Sequence, residues 1–351
     1  MISIATPQRA LRGQIVPRPT SPAAVGADHL GLLARRLTPR DRWLARMLYE
    51  HRVFTTRQIT ELAWPQPRVA NSRLLDLYKW RLLDRFQPRQ DRGRAQMHYV
   101  LDLAGVAVLA YEDGLEPRRV KFSRDNAFGL AHSLRLAHMI ATNGFFTALV
   151  HHGRTPGSTG RLTAWWSESR CAEHFGDIVK PDAYGRWTSP GADLEWFLEH
   201  DTGSERPAGK LGSKVLGYAK LAATTGIVTP VLFWTTTISR EAAVRRALAD
   251  AVPHLADPSL VPIATASIEQ GVLDGASDPS CAAWLPLSRR ATNRMPLVDL
   301  SAAWPRVQQP NSDESGQSAP ASPQLNTTRA DRINPPSPIP PKPIPFGVQH
   351  Q

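Results

Sequence analysis

The segment between residues 38 and 102 constrains the fold of this chain most strongly, because it carries closely spaced signals for helix starts. Thr38 and Pro39 predict one start, since threonine caps helix N-termini and proline suits the first helical position. Thr55 and Gln58 have the spacing of a capping box and predict a second start. Apolar residues recur at helical spacing after each signal, so each segment can bury one face.

A third helix is predicted from about residue 68 to residue 82. Leu74, Leu77 and Tyr78 should face inward on it. The other side carries side chains that suit base edges and phosphates in the major groove of DNA. These residues are Arg68, Asn71, Ser72 and Lys79, with Arg73 near the boundary.

A basic hairpin is predicted next, from the text LLDRFQPRQDRGRAQMHYVLD. Its tip carries Arg89, Arg92 and Arg94. Three helices and a basic hairpin are the order of a winged helix-turn-helix, whose wing contacts phosphates or the minor groove. We therefore predict a DNA-binding domain over residues 35–120, with double-stranded DNA as its partner and no cofactor required. A winged helix that binds protein, or arginines that are merely solvated, are the alternatives.

The distribution of charge favours a polyanionic partner. Residues 1–125 contain 22 Arg and Lys against 12 Asp and Glu, whereas the whole chain carries +11. The remaining residues are therefore almost neutral, and the positive field is concentrated where the DNA-binding domain is predicted. No apolar run approaches the roughly 20 residues that cross a bilayer. Two distant cysteines indicate neither a disulfide framework nor a zinc site, so we expect a cytoplasmic protein without a membrane partner.

Both ends of the chain have the composition of disordered segments. Residues 1–34 are interrupted by prolines and are interpreted as a leader. Residues 303–351 are rich in Pro and Ser and are interpreted as a disordered tail. The run PPSPIPPKPIP favours polyproline II, so the tail is either inert or a docking motif for a protein partner.

The region 126–290 predicts a second domain with the order α-β-β-β-α-β. This order is typical of an α/β sandwich, with a buried central strand at Val231–Thr235. The predicted fold class is thus α+β: a winged helix-turn-helix, an α/β sandwich domain and a Pro-rich tail. His132 and His138, on the first predicted helix of this domain, are interpreted as core or surface residues rather than ligands.

Acidic residues in the second domain form a candidate metal site. Asp182 follows Pro181, and Glu199 and Asp201 lie two apart in a strand and so share a face. Carboxylates from neighbouring strands, with Lys210 or Lys214 from the next helix, could hold Mg²⁺ and activate water. This arrangement resembles the PD-(D/E)xK nuclease fold, although Asp201 stands where that pattern has lysine. An inactive scaffold is the alternative.

The whole region 35–270 resembles the actinobacterial replication-relaxation family, which is linked to plasmid replication and mobilisation. The text that carries the resemblance is LTPRDRWLARMLYEHRVFTTRQITELAW, RLLDLYKWRLLDRF, HYVLDLAGVAVLA, KPDAYGRW and LEWFLEHDTGSERPAGKLGSKVLGYAKL. The resemblance implies a winged helix joined to a second domain. We expect a DNA-binding accessory protein of replication or mobilisation, the alternatives being a Mg²⁺-dependent nuclease and a homodimeric transcriptional regulator.

Several enzyme classes have no sequence support. The sequence contains no P-loop, no GxGxxG and no GxSxG motif, so ATPase, dinucleotide-dependent and serine hydrolase functions are not indicated. A relaxase of the common type would need a His-hydrophobic-His metal cluster, whereas His151 and His152 are adjacent and diverge.

Overall fold

The computed structural model describes residues 25–88, 95–123, 127, 129–133, 135–203, 208–273, 278–287, 293–304, 307 and 333–342, with the backbone alone for residues 208–210. They belong to two compact units. The N-terminal unit comprises the described part of Gln8–Leu136 and of Asn326–Gln351, and the second unit that of Ala137–Leu325. The protein is a mixed α+β structure, as predicted. No helix in the described part of the chain is long and apolar enough to cross a membrane.

The N-terminal unit has the predicted three helices followed by a pair of antiparallel strands, and one further helix precedes them. Its elements are α1 (Ala27–Arg36), α2 (Pro39–His51), β1 (Phe54–Thr55), α3 (Thr56–Ala63), α4 (Pro67–Lys79), β2 (Leu83–Phe86), β3 (His98–Leu101) and α5 (Leu103–Glu112). The three strands form one antiparallel sheet in the order β1-β3-β2. α4 ends at Lys79 rather than at the predicted residue 82, and Arg81 adopts a positive φ of 59° just beyond it.

Both predicted helix starts are confirmed. Thr38 caps α2 in a capping box with Asp41, and Pro39 is the first helical residue. Thr55 caps α3 in a capping box with Gln58. These local hydrogen bonds satisfy backbone N–H groups that a helix N-terminus leaves without partners, which explains why the two starts were legible from spacing alone.

The chain is ordered earlier than predicted, because α1 lies partly within the supposed leader. Leu33 of α1 is fully buried, and the ring nitrogen Nε2 of His29 lies 3.0 Å from the carbonyl oxygen of Trp80. The prediction of a disordered leader over residues 1–34 is therefore wrong for residues 27–34. Leu33 is the only buried residue of α1, so the helix has too weak a periodic pattern of apolar residues to be predicted from the sequence.

A short stretch of the predicted tail also differs from expectation. Residues 333–342 have no helix or strand, yet they lie on the N-terminal unit, with Ile333 only 1% exposed. Proline-rich composition indicates that a segment cannot build a core of its own. It does not exclude packing on a surface that another part of the chain provides.

The second unit contains the predicted α-β-β-β-α-β order with one inserted helix, and two further helices and two further strands follow it. Its elements are α6 (Leu136–Gly153), β4 (Arg161–Ser167), α7 (Glu168–Phe175), β5 (Ala183–Ser189), β6 (Ala192–Asp201), α8 (Ala208–Thr225), β7 (Val231–Thr235), α9 (Ile238–Ala251), β8 (Ile263–Ser267), α10 (Ile268–Leu273) and β9 (Leu285–Pro286). The inserted helix is α7. α6 begins ten residues later than the predicted start at residue 126, because Leu130–His132 form a separate 3₁₀ turn.

These strands form one sheet in the order β4-β5-β6-β7-β8-β9. β4, β5 and β6 are antiparallel neighbours, β6, β7 and β8 are parallel, and β9 is antiparallel to β8. All five residues of β7 are buried, so the predicted central strand is confirmed. Helices α8 and α9 pack on one face of the sheet around Phe197 and Phe233, while Phe145 and Phe146 of α6 contact Trp234 and Trp165 on the other.

Candidate nucleic-acid interface and buried acidic cluster

One face of α4 is exposed along its whole length. Because α-helical residues advance by about 100°, positions 68, 71, 72, 75 and 79 form a stripe about 16 Å long. The structure exposes every one of them: Arg68, Asn71, Ser72, Leu75 and Lys79. The opposite face is buried as predicted, with Leu74 and Leu77 at 0% exposure. We call the five exposed residues the α4 stripe.

The α4 stripe contains an apolar residue that the sequence pattern did not single out. Leu75 is 37% exposed in the middle of the stripe, and the neighbouring Val69 is 48% exposed. Apolar side chains in the major groove contact the methyl group of thymine. Exposed leucine and valine next to Arg68 and Asn71 therefore fit a surface that reads bases. The residue types alone do not show whether these two side chains face the core or the solvent.

Arg73, a predicted DNA contact, has a structural role instead. Its guanidinium bonds both carboxylate oxygens of Asp41, with Nε 3.0 Å from Oδ1, and it lies 4.9 Å from the ring centroid of Trp80. Although burial opposes the effect, the hydrogen bonds and charge of Asp41 raise the pKa of Arg73. Because Asp41 is 1% exposed, this bond neutralises a buried carboxylate, and the prediction that Arg73 reads DNA is not supported by its position.

Other arginines of the N-terminal unit are likewise engaged within it. Arg46 pairs with Glu112 at 3.0 Å and with Asp113 at 2.7 Å, and Arg42 also bonds Glu112. Further arginines stack on aromatic rings: Arg36 on Trp80, Arg40 on Trp64 and Arg85 on Tyr78. By contrast, among the described residues no ion pair holds Arg68 or Lys79. Within the described residues, the α4 stripe thus presents two cations that have no ion-pair partner.

The predicted wing residues Arg89, Arg92 and Arg94 lie outside the described residues. The strands that flank them are well defined, since Phe86 pairs with His98 and their rings stack with centroids 5.1 Å apart. Burial lowers the pKa of His98 to about 4. The hairpin is therefore anchored by a neutral aromatic pair directly before its tip, and the role of the three arginines stays a prediction.

In the second unit, the sheet brings Asp182, Glu199 and Lys214 together. Asp182 immediately precedes β5, and its backbone N–H donates to the carbonyl of Leu198 on β6 at 3.1 Å. Glu199 is the next residue of β6. Lys214 reaches it from α8, with its ammonium donating to Oε2 of Glu199. Two of the predicted carboxylates and one predicted lysine therefore occupy one cluster, where β5 begins and β6 ends.

Both oxygens of Glu199 are occupied by partners from α8. Tyr218, one helical turn after Lys214, donates its hydroxyl to Oε1 at 2.6 Å. Glu199 is 3% exposed, and burial together with the Asp182 carboxylate raises its pKa to about 7. Although burial opposes it, the charges of Glu199 and Asp182 raise the pKa of Lys214. The cluster is thus a buried, hydrogen-bonded acid–base pair beside a second carboxylate.

Two histidines complete the surroundings of Asp182. Oδ1 of Asp182 lies 3.4 Å from Nε2 of His138, and Oδ2 accepts the backbone N–H of His200 at 2.8 Å. Burial acts to raise the pKa of Asp182, but His138 and Lys214 lower it to about 2. Burial lowers the pKa of His200 to about 3, so its imidazole is neutral. His138, interpreted from sequence as a core or surface residue, is in fact a carboxylate partner.

Asp201 does not join this cluster, which corrects the predicted metal site. Its carboxylate forms a two-pronged ion pair with Arg240 of α9, both contacts at 2.9 Å. Among the described residues, no group of three or more His, Cys, Asp or Glu side chains could hold a metal ion. The three-carboxylate set therefore does not fit Mg²⁺ here, because Asp201 is neutralised by a cation 39 residues away. The side chain of Lys210 lies outside the described part of the chain.

Sequence reasoning missed Tyr218, His138 and His200. Tyr218 could have been found, since it lies four residues after Lys214 and must share its helix face. His138 could not, because it meets Asp182 only through the packing of α6 against the sheet. His200 meets Asp182 through the pairing of β6 with β5, a contact that no residue spacing reports.

The profile of one protein family, described as replication-relaxation, matches residues 46–233. The matched region includes the α4 stripe and also Asp182, Glu199 and Lys214 of the acidic cluster. No curated protein and no solved structure gives a significant match. Since the matched region covers more than half of the 351 residues, the chain belongs to the replication-relaxation family.

Proposed function

We propose that this chain is a DNA-binding accessory protein of plasmid or mobile-element replication or mobilisation, and that it acts in the cytoplasm. Membership of the replication-relaxation family points to a role in replication or mobilisation. In this proposal the N-terminal unit is a winged helix, α4 enters the major groove of double-stranded DNA, and the hairpin tip contacts the backbone.

The observation that carries the proposal is the contrast between the α4 stripe and the other cations of the same unit. Arg73, Arg42 and Arg46 are bound to carboxylates, whereas Arg68 and Lys79 are exposed without such partners in the described structure. Each phosphate that such a cation neutralises releases counterions, so these two residues are placed to contribute to affinity. Asn71, between them, has the chemistry to pair with adenine.

Fluorescence anisotropy with a labelled random-sequence duplex, over a series of salt concentrations, tests this assignment. The full-length Arg68→Ala/Lys79→Ala double variant should lower the slope of log K against log salt by about 1.8, or about 0.9 for each lost phosphate contact. An unchanged slope would remove α4 from the interface. Replacing Arg89, Arg92 and Arg94 together with alanine tests the wing by the same readout.

The matched control removes the same charge from another exposed site in the unit. Arg118 and Arg119 are exposed, and Arg119 pairs with Glu116 one turn away. Arg118→Ala/Arg119→Ala should leave the salt slope unchanged. If it lowers the slope as much as the α4 variant does, binding follows net charge rather than the α4 stripe.

A nuclease is the second candidate function, favoured by the juxtaposition of Asp182, Glu199 and Lys214 where β5 begins and β6 ends. The two carboxylates and the lysine are the residue types that metal-dependent phosphodiester hydrolysis uses. The set falls short of a metal site because Asp201 is paired with Arg240 and both Glu199 oxygens are bonded to α8.

Nicking of supercoiled plasmid, with and without Mg²⁺ or Mn²⁺, separates the two candidates. If the chain is a nuclease, Glu199→Gln should abolish nicking while Asp250→Asn, the same loss of charge at an exposed residue of α9, should not. A shift in DNA mobility without nicking under any metal would indicate a DNA-binding protein whose second unit is a non-catalytic scaffold.

A further inference from the structure

The proline-rich stretch at residues 333–342 is seated on the N-terminal unit, although it has no secondary structure of its own. Ile333 is 1% exposed and Pro338 is buried, whereas Ile339 is 41% exposed. Apolar anchors at two positions, with exposed residues around them, are typical of an extended peptide that docks through alternate side chains. We call residues 333–342 the docked segment.

The first polar anchor is an indole. Trp43 of α2 donates its Nε1–H to the carbonyl oxygen of Ser337 at 2.7 Å. In proline-rich segments many carbonyls have no N–H partner within the segment, because proline has no backbone donor. A tryptophan that packs against prolines and donates to a carbonyl is the chemistry by which polyproline ligands are recognised.

The second polar anchor is a carboxylate at the end of α5. Oδ2 of Asp113 accepts the backbone N–H of Asn334 at 2.7 Å. The same carboxylate pairs with Arg46 of α2, which fixes it beside Trp43. Arg46 and Asn334 together hold the pKa of Asp113 below its usual value against the opposing effect of burial. The site therefore supplies one aromatic donor and one charged acceptor, and the segment has two buried apolar residues, Ile333 and Pro338.

We propose that α2 and the end of α5 form a polyproline-binding site whose resident occupant is this chain's own docked segment. The segment supplies both backbone groups that the site bonds and both side chains that it buries, so the occupant is complementary in register as well as in composition. The described residues of the N-terminal unit thus come from two stretches that are separate in the sequence, one before residue 137 and one at residues 333–342.

The docked segment lies away from the α4 stripe. Asp41 and Trp43 are two residues apart on α2 and therefore point about 200° apart around its axis. Asp41 faces α4, since it bonds Arg73. Trp43 faces the docked segment. α4 and the docked segment thus contact different sides of α2. This proposal does not depend on the proposed DNA-binding function.

A matched pair of substitutions in the full-length chain tests the site. Ile333→Asp places a carboxylate at a buried anchor and should release the segment. Ile339→Asp makes the same change at an exposed position of the same segment and should not. The readout is fluorescence anisotropy of a labelled synthetic peptide with the sequence of residues 330–345, titrated with each chain.

The Ile333→Asp chain should bind the labelled peptide about tenfold more tightly than the wild type or the Ile339→Asp chain. The reason is that a tethered segment occupies its own site at an effective concentration on the order of 1 mM, with which added peptide must compete. Adding Trp43→Phe to the Ile333→Asp chain keeps an aromatic side chain but removes the indole N–H donor. This change should weaken peptide binding about fivefold. Equal binding by all four chains would overturn the proposal.

Sedimentation separates an occupant from the same chain from one supplied by a second copy. The molecular mass of the wild type should be that of one chain at all concentrations. A dimer that dissociates on Ile333→Asp would assign the segment to a second copy and overturn the proposal as stated. The salt slope of DNA binding reports the phosphate contacts of the α4 stripe. The Ile333→Asp chain should therefore gain peptide binding without a change in that slope, so that the two proposals are tested separately.

Discussion

The α4 stripe of the N-terminal unit and the acidic cluster of the second unit place their charges in opposite environments. In the N-terminal unit, arginines lie at the surface, bonded to carboxylates or stacked on rings, and the α4 stripe is left with Arg68 and Lys79 in solvent. In the second unit, Glu199 and His200 are 3% and 4% exposed, and Asp182 has a pKa of about 2. The α4 stripe exposes its charge to solvent, whereas the acidic cluster encloses it.

The two sites should contribute differently to the free energy of folding. An exposed cation on a helix contributes little to folding and is available for binding. A buried ion pair is costly to desolvate, and removal of one member leaves the other charge uncompensated. We therefore expect substitutions in the α4 stripe to change DNA binding without changing stability, and substitutions in the acidic cluster to change stability first.

The largest effect is expected for Lys214→Ala. This substitution leaves the carboxylate of Glu199 buried with Tyr218 as its only remaining described donor, so the free energy of unfolding at pH 8 should fall by about 3–5 kcal/mol. Urea denaturation, followed by tryptophan fluorescence, measures the change. Lys220→Ala, at an exposed position of the same helix, is the control and should fall within about 0.5 kcal/mol of the wild type. Equal losses in both variants would show that the ion pair contributes no specific stability.

The pH dependence of stability sharpens the same contrast. The pKa of Glu199 is raised from 4.5 to about 7, so between these values the folded chain retains a proton that the unfolded chain releases. Stability from this group therefore falls as pH rises through that window. Relative to Glu199→Gln, the wild type should lose about 3 kcal/mol of unfolding free energy between pH 4.5 and pH 7.

Other titrating groups do not obscure this comparison. His200, with a pKa lowered to about 3, gives stability that rises with pH up to about 6.5, but it is present in both chains and cancels in the difference. The control is Asp250→Asn, which should add no comparable slope because that residue is exposed. A constant difference between wild type and Glu199→Gln across the window would mean that Glu199 is ionised in the folded state throughout.

Within the N-terminal unit, Arg73→Ala and Arg68→Ala test whether pairing decides the role of an arginine. Both remove one charge from α4. Arg73→Ala also leaves the buried Asp41 carboxylate without its cation, so it should cost about 2 kcal/mol of stability and leave the salt slope for DNA unchanged. Arg68→Ala should lower the salt slope for DNA binding and leave the free energy of unfolding unchanged. If Arg73→Ala lowered the slope while the chain stayed equally stable, Arg73 would belong to the interface after all.

Sequence reasoning recovered the features whose causes are local. The two capping boxes at Thr38 and Thr55 depend on residues three positions apart, and the buried strand Val231–Thr235 depends on its own apolar run. The overall α-β-β-β-α-β order follows from such segments in succession. The same kind of reasoning correctly placed Leu74 and Leu77 inside and Arg68 outside.

The features that it missed depend on partners distant in the chain. The charge of Arg73 is paired with Asp41, 32 residues earlier, and Asp201 is kept out of the acidic cluster by Arg240, 39 residues later. The docked segment is held by Trp43 across 294 residues. Residue spacing does not predict such pairs, because the partners are far apart in the sequence. Each of these residues could equally well be exposed to solvent at its position.

The smallest effect is expected for Leu75, where the α4 stripe is apolar. Leu75→Ala truncates a side chain that is 37% exposed, so stability should change by less than about 0.5 kcal/mol. Affinity for a duplex selected from a random library should fall about threefold, since only a contact with a base methyl group is lost, and the salt slope should stay constant because no charge changes. Leu216→Ala, which truncates a 62% exposed leucine of α8, should leave DNA affinity unchanged. If Leu75→Ala weakens binding to every sequence equally, the leucine packs against the DNA backbone rather than reading thymine, and the stripe binds DNA without distinguishing its bases at this position.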